Sequence, residues 1–488
     1  MVPLLSAVDD PGICSNDLQD FERELEEFFS NVKTMIKLDR KDDAIELLQA
    51  NYEAVKEQIG EGTRDVEQAA LLDVIALGYM AVGDFETVEN ILQMLNEVVG
   101  CIADGKPLMD SILIHIGSLY TNLGMLDKAS QAYGRGLKIL ENAFGSQSPF
   151  LVMPLLGLAK VLKLSGRVTE AMETYQRSIT ILERSRGPMS EDLVLPLFSI
   201  GNLFIDEGRA VDAKTTFSRI VSIYTRIFGE NDGKVGIAMC SLAHANCAEG
   251  NIDEAIRLYK KGLQIINDSK YMSIDDDILE KMKVDLAELL HAAGRETEGR
   301  ELLEECLLVN ERHKGSEDPS SVAHLLNLAT SYSRSKNFVE AERLLRTSLQ
   351  VMSRTVGPRD QSLTVPMLHL AVVLYSLRRD EEAEKFALEA LSIRESAFGR
   401  ESLPVGEALD VLVSIQTRLG KEEGEALENL KRVLAIQEAE FGHESEEVME
   451  TLKKVVFFLD RTGRRDEKAP LQRRLALLRN KYKYLVPS

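Results

Sequence analysis

The 488-residue chain carries 58 basic and 79 acidic residues, a formal charge of -21. That balance leaves no basic stripe of the kind phosphate recognition needs, and it argues against nucleic acid as the main partner. Five cysteines, an odd number without scaffold-like spacing, argue against a disulfide framework and point to a reducing compartment.

Residues 1–16 read as a disordered N-terminal segment. Met1 to Glu27 holds Arg23 alone against eight acids, whereas secretory and organelle leaders are basic at their start. Asp17 to Gly60 then reads as an atypical first unit of a repeat. The repeat is marked by small residues, Ala44, Val88, Ala129, Ala171, Ala213, Ala255, Gly299, Ala341, Ala383 and Ala426, which fall 41 to 44 residues apart. Each follows a turn by five or six residues, as at Gly83, Gly124, Gly166, Gly208, Gly250, Gly294 and Gly420.

Each unit also ends alike. GLKILENAFG (136–145), SITILERSRG (178–187), IVSIYTRIFG (220–229), SLQVMSRTVG (348–357), ALSIRESAFG (390–399) and VLAIQEAEFG (433–442) place apolar residues at helical spacing and close on glycine. That glycine is expected to take the left-handed conformation that caps a helix. The units are therefore helix A, a tight turn, helix B and a loop, with no strand. The longest uncharged run, Gln361 to Leu377, contains Pro366 and His369 and reads as a helix A rather than a membrane span.

Periods of this length belong to solenoids, in which a hairpin buries its apolar face only against its neighbours. The expected fold is all-α, a right-handed superhelical solenoid of helix-turn-helix repeats over residues 17–464, closed by a capping helix and tail at 465–488. Arg464 to Lys483 collects eight basic residues against Asp466 and Glu467, with leucines interleaved. It serves either as that polar-faced cap or as a basic amphipathic segment making peripheral contact with an acidic protein or anionic membrane.

The Ala-rich helix A, the Gly turn, the Ala of helix B and the Leu-x-Ile run into Phe-Gly resemble the tetratricopeptide repeat in its longer, kinesin-light-chain form. The resemblance covers roughly Asp17 to Tyr484 and is clearest in Ala323 to Gly442. It implies a protein-interaction scaffold or adaptor, with a role in assembly of a larger complex. A similarity to plant light-chain-related proteins adds a plastid stroma, reached with a leader absent from this chain, as the alternative to the cytoplasm.

The resemblance also implies that helix A lines an inner groove through the positions ten, six, three and two residues before the turn. These are Leu156, Lys160, Lys163 and Leu164, then Phe198, Asn202, Ile205 and Asp206. Later units supply Leu326, Thr330, Ser333 and Arg334, then Leu368, Val372, Tyr375 and Ser376. From Ile114 to Arg461 such positions hold six basic and four acidic residues, so the chain's acidity falls mainly outside the groove. The expected partner is another protein with an apolar or mildly acidic surface or helix, steered by Lys160, Lys163 and Arg334.

Family members often carry an asparagine nine residues before the turn that clamps an extended peptide. Here the column reads Val74, His115, Gly157, Ser199, Ser241, Asp285, Asn327, His369 and Val411, and Asn327 alone keeps it. That departure favours a folded surface or a helix over an extended peptide.

Cys240, His244 and Cys247 share one helix face at i, i+4 and i+7, and His291 takes the matching face of the next unit. Two thiolates and two imidazoles form a tetrahedral zinc set if they converge, which gives a ligand- or zinc-binding regulatory module as the alternative function. The bland reading, ordinary groove and core residues with no bound cofactor, is preferred because no CxxC pair anchors the site. Catalysis finds no support: there is no phosphate-binding glycine loop, nucleophile elbow or HExxH.

Overall fold

The computed structural model describes residues 15–38, 40–274 and 276–483. The expected disordered segment lies outside them apart from its last two residues, which begin the first helix, and so do the last five residues of the chain. The regular elements are helices in tandem, with no strand among the described residues. They divide into two compact units, one ending at Ser269 and one beginning at Lys270.

In the first unit the helices are α1 (Ser15–Lys37), α2 (Lys41–Gly60), α3 (Val66–Val82), α4 (Phe85–Cys101), α5 (Met109–Asn122), α6 (Leu126–Phe144), α7 (Val152–Leu164), α8 (Val168–Arg186), α9 (Val194–Asp206), α10 (Ala210–Phe228), α11 (Gly233–Ala248) and α12 (Ile252–Ser269). The second holds α13 (Asp277–Ala292), α14 (Glu296–Lys314), α15 (Ser321–Arg334), α16 (Phe338–Val356), α17 (Thr364–Ser376), α18 (Asp380–Phe398), α19 (Leu403–Arg418), α20 (Glu423–Phe441), α21 (Glu446–Arg461) and α22 (Arg465–Lys483). From α3 onward to α20, odd-numbered helices are A and even-numbered helices are B. The uncharged run at 361–377 is α17, and no helix among the described residues is long and apolar enough to cross a membrane.

The small-residue column is the seam of the hairpins. Ala44, Val88, Ala129, Ala171, Ala213, Ala255, Ala341 and Ala383 are fully buried, because helix B meets its neighbours there at a distance that leaves room for little more than a methyl or isopropyl group. The helix-closing glycines differ from the expectation. Gly145 has φ 82° and ψ 162°, and Gly187, Gly229, Gly399 and Gly442 repeat that pair within a few degrees. The φ is positive, but ψ lies far from the left-handed helical value, in a region open essentially to glycine. The reason is directional: the chain must leave helix B extended to reach the next N-cap, such as Ser148, Ser190 or Asp232, each of which accepts a backbone N–H two residues on.

A second periodic device orients successive B helices. Arg177 pairs with Glu141 and donates to the Ser146 carbonyl, and Arg219 pairs with Glu183 at 2.6 Å and donates to the Pro188 carbonyl at 3.0 Å. Arg432 repeats this on Glu395 and the Arg400 carbonyl, and Arg474 on Glu438 and the His443 carbonyl. These arginines are about a third exposed, so each pair contributes only about 1 kcal/mol or less. Their effect is geometric: one fork fixes both the preceding helix and the loop that leaves it.

Candidate functional site

In the first unit α7 and α9 are apolar on nearly every side. Leu155, Val161 and Leu162 on α7 and Leu197, Ile200 and Leu203 on α9 are buried. Leu156 and Phe198 sit half-buried on the core at equivalent positions, and the Phe198 ring tilts against Phe217 with centroids 5.8 Å apart. One turn earlier, Met153 and Leu195 also match each other across 42 residues, and they are 37% and 56% exposed. Leu164 at the end of α7 is 53% exposed. The groove positions implied by the family omitted Met153 and Leu195; the signal that finds them is the same period applied three residues upstream.

Polar residues flank this plate. Lys160 and Asn202 are exposed, and Ile205 is half-buried. The Lys163 ammonium lies 2.5 Å from the Asp206 carboxylate, so those two charges satisfy one another, while Lys160 has no ion-pair partner among the described residues. In the second unit Leu326 and Asn327 are half-buried, Arg334 is exposed, and Thr330 donates its hydroxyl proton to the Leu326 carbonyl at 2.9 Å. Two expectations change there. Leu368 is 6% exposed and belongs to the core, because it packs between hairpins rather than facing out. Tyr375 is covered: the Arg418 guanidinium lies 3.2 Å from its ring centroid, donates to its backbone carbonyl and pairs with Asp380.

The column where the family keeps asparagine is spent on internal packing. Tyr133 of α6 lies between Gly117 and Gly157, and a Cβ at Gly157 would fall 2.3 Å from its ring. Burial raises the pKa of Tyr175 above the ordinary tyrosine value, opposed by the hydrogen bond between its hydroxyl and Ser199. His115 Nδ1 lies 2.6 Å from Asp73 Oδ2, with both side chains almost wholly enclosed. The side chains that would clamp a peptide backbone in α5, α7 and α9 are thus absent or already bonded.

The Asp73 and His115 pair gives a direct test of this enclosure. Burial pushes the Asp73 carboxyl above the usual carboxylate range, opposed by the charge and hydrogen bond of His115. A raised folded-state pKa means stability that is present at low pH and is lost as pH rises through the raised value. Asp73→Asn lacks that loss. Its unfolding free energy relative to the parent should therefore improve as pH rises from below the usual carboxylate range to above it, measured by urea unfolding. A relative change of the opposite sign would contradict burial as the dominant cause.

The cysteine and histidine residues separate. Cys240 is buried where α11 crosses α12, Cys247 is half-buried, and His244 is exposed, all within the first unit. His291 belongs to the second unit, where its ring packs over Gly299 and its Nε2 hydrogen-bonds the Ser331 hydroxyl at 2.7 Å. Burial holds its pKa below the ordinary histidine value. Among the described residues no group of three or more His, Cys, Asp or Glu side chains gathers as a metal site, and Cys101 and Cys306 are free thiols.

Tandem A–B hairpins with a buried small-residue seam define a helical-repeat protein. Tetratricopeptide repeat models match residues 108–184, 194–268, 279–354 and 367–403, more than half the chain, and the chain belongs to the tetratricopeptide repeat family. No curated protein matches it. Among solved structures it is similar to a kinesin-light-chain protein of nearly identical TPR-like repeats from Podosopora anserina, at 20% identity over 42% of this chain and 96% of that one, with a TM-score of 0.39. It is similar also to BtubC from P. vanneervenii, at 18% identity over 46% and 92% with a TM-score of 0.39, and to the quorum sensor NprR from B. thuringiensis, at 14% over 85% and 99% with a TM-score of 0.44.

Proposed function

We propose that the chain is a protein-interaction scaffold without catalysis of its own, serving assembly of a larger complex, whose partner docks on the inner face of α7 and α9. The observation that supports this reading is the exposed apolar plate of Met153, Leu195 and Leu164 beside exposed Lys160, which has no ion-pair partner among the described residues. Side chains of this size gain about 1.5–3 kcal/mol each when covered, and most of that gain is withheld while they face water. A folded apolar surface or a helix with an acid opposite Lys160 fits the plate; an extended peptide finds no backbone clamp there. Arg334 on α15 is an exposed cation of the second unit.

The partner captured on immobilised protein from its native source provides the assay. Leu195→Asp should weaken binding at least about a hundredfold with the melting temperature little changed, because it places a charge in the apolar centre of the contact. Lys160→Glu should slow association several-fold at low salt and little at high salt, as steering requires. Unchanged affinity in Leu195→Asp, together with an unchanged association rate in Lys160→Glu, would remove this face from consideration.

A further inference from the structure

At Arg135 the arginine staple seen at Arg177 and Arg219 is displaced, and a cleft lies there. Glu141, the staple for Arg177, stands 36 residues before it; the residue 36 before Arg135 is Val99, which offers no carboxylate. Arg135 instead reaches the loop after α4, donating to Asp104 at 2.7 Å and lying at the edge of bonding distance from the Val99 and Ile102 carbonyls. Between α4 and α6 a space of about 600 Å³ remains, floored by Leu113 and Tyr120 of α5.

Its two walls have opposite character. Glu89, Gln93 and Glu97 descend α4 at i, i+4 and i+8, while Lys128, Gln131 and Arg135 descend α6 at i, i+3 and i+7. Each wall therefore presents charges separated by an amide, acids on one side and bases on the other. Neither Glu89 nor Glu97 has an ion-pair partner among the described residues, and Lys128 has only the Tyr120 ring and the Met125 sulfur near its ammonium. Eight residues of helix rise about 12 Å. Four steps of an extended chain cover about 13 Å, and residues at even spacing point to the same side.

We propose that this cleft binds an extended segment of a partner protein, about five residues long, with basic side chains at its first and fifth positions and acidic ones at its second and fourth. The two bases meet Glu97 and Glu89, the acids face Lys128 and the rim at Arg135, and Gln93 and Gln131 bond the segment's backbone. The cleft lies among α4, α5 and α6, apart from the plate on α7 and α9, and neither site depends on the other.

The test compares two labelled, end-blocked pentapeptides of the same composition, Lys-Glu-Ser-Glu-Lys and Lys-Lys-Ser-Glu-Glu, by fluorescence anisotropy on the full chain in about 50 mM salt. The first should bind at least about tenfold more tightly. Glu89→Gln with Glu97→Gln should remove that preference with an unchanged circular dichroism spectrum, and Lys160→Glu should leave it intact. Equal binding of the two peptides, no saturable binding of the first, or a preference that survives the double substitution would overturn the assignment.

Discussion

Removing Leu471–Ser488 is expected to cost the last hairpin its cooperative folding. Leu475 and Leu478 of α22 are each 5% exposed and pack in one cluster with Val448, Leu452, Val455, Phe458 and Leu459, and Leu471 and Tyr482 lean on the same cluster. Uncovering that face forfeits about 1.5–3 kcal/mol for each large apolar side chain, so roughly 5 kcal/mol or more is lost at this end. In a stacked array the loss falls on the terminal units, because each contacts only its neighbours. Hydrogen exchange should therefore show lost protection in α20 and α21, and the urea transition should broaden or split.

The charges of α22 support this structural role over a basic patch kept for a membrane. Lys468 pairs with Asp460, Arg474 with Glu438 and Lys481 with Glu444, and Arg464 just before the helix reaches Glu428. Much of the basic character that stands out in the sequence is thus directed at the chain's own acids. If the truncated chain kept full protection in α20 and α21 and a single urea transition, α22 would be an appended binding element instead.

How much of this was readable beforehand depends on the range of the interaction. The seam at Ala129, Ala171 and Ala213 was legible because a small residue recurring every 42 positions has one simple cause, close approach of packed helices. The helix-closing glycines were legible in place but not in conformation, since ψ at Gly145 is set by the loop that must reach Ser148, and composition carries no direction. Of the groove positions that the family implies, Lys160 is exposed and Phe198 half-buried, whereas Leu368 and Tyr375 are covered. Leu368 is enclosed by the neighbouring hairpin, and Tyr375 is covered by Arg418, 43 residues away, which no local pattern announces. The cysteine and histidine face at 240, 244 and 247 shows the same limit: helical spacing aligned the residues, while the close crossing of α11 and α12 took Cys240 into the core.

That crossing should make Gly262→Val among the most damaging single substitutions in the first unit. A Cβ at Gly262 would fall 2.7 Å from the Gly236 carbonyl oxygen and 2.8 Å from the Cys240 sulfur, and a Cβ at Gly236 would meet the Gly262 carbonyl oxygen at 2.7 Å. Two of those contacts are to backbone, so a side chain cannot swing aside and α11 must move off α12. Overpacking of this kind costs about 1–3 kcal/mol even for small additions, and the branched valine brings two further methyls, so at least about 3 kcal/mol is expected. Gly136 occupies the equivalent place on α6, where the nearest atom to an added Cβ is the Leu113 Cβ at 3.5 Å, an ordinary contact. There Gly136→Ala should be neutral or stabilising by up to about 1 kcal/mol, since alanine is the better helix former. Gly262→Ala beside Gly136→Ala removes the difference in side-chain size, so urea unfolding of that pair reads the distance between the A and B backbones directly. Equal costs at the two sites would mean that α11 and α12 do not approach this closely in solution.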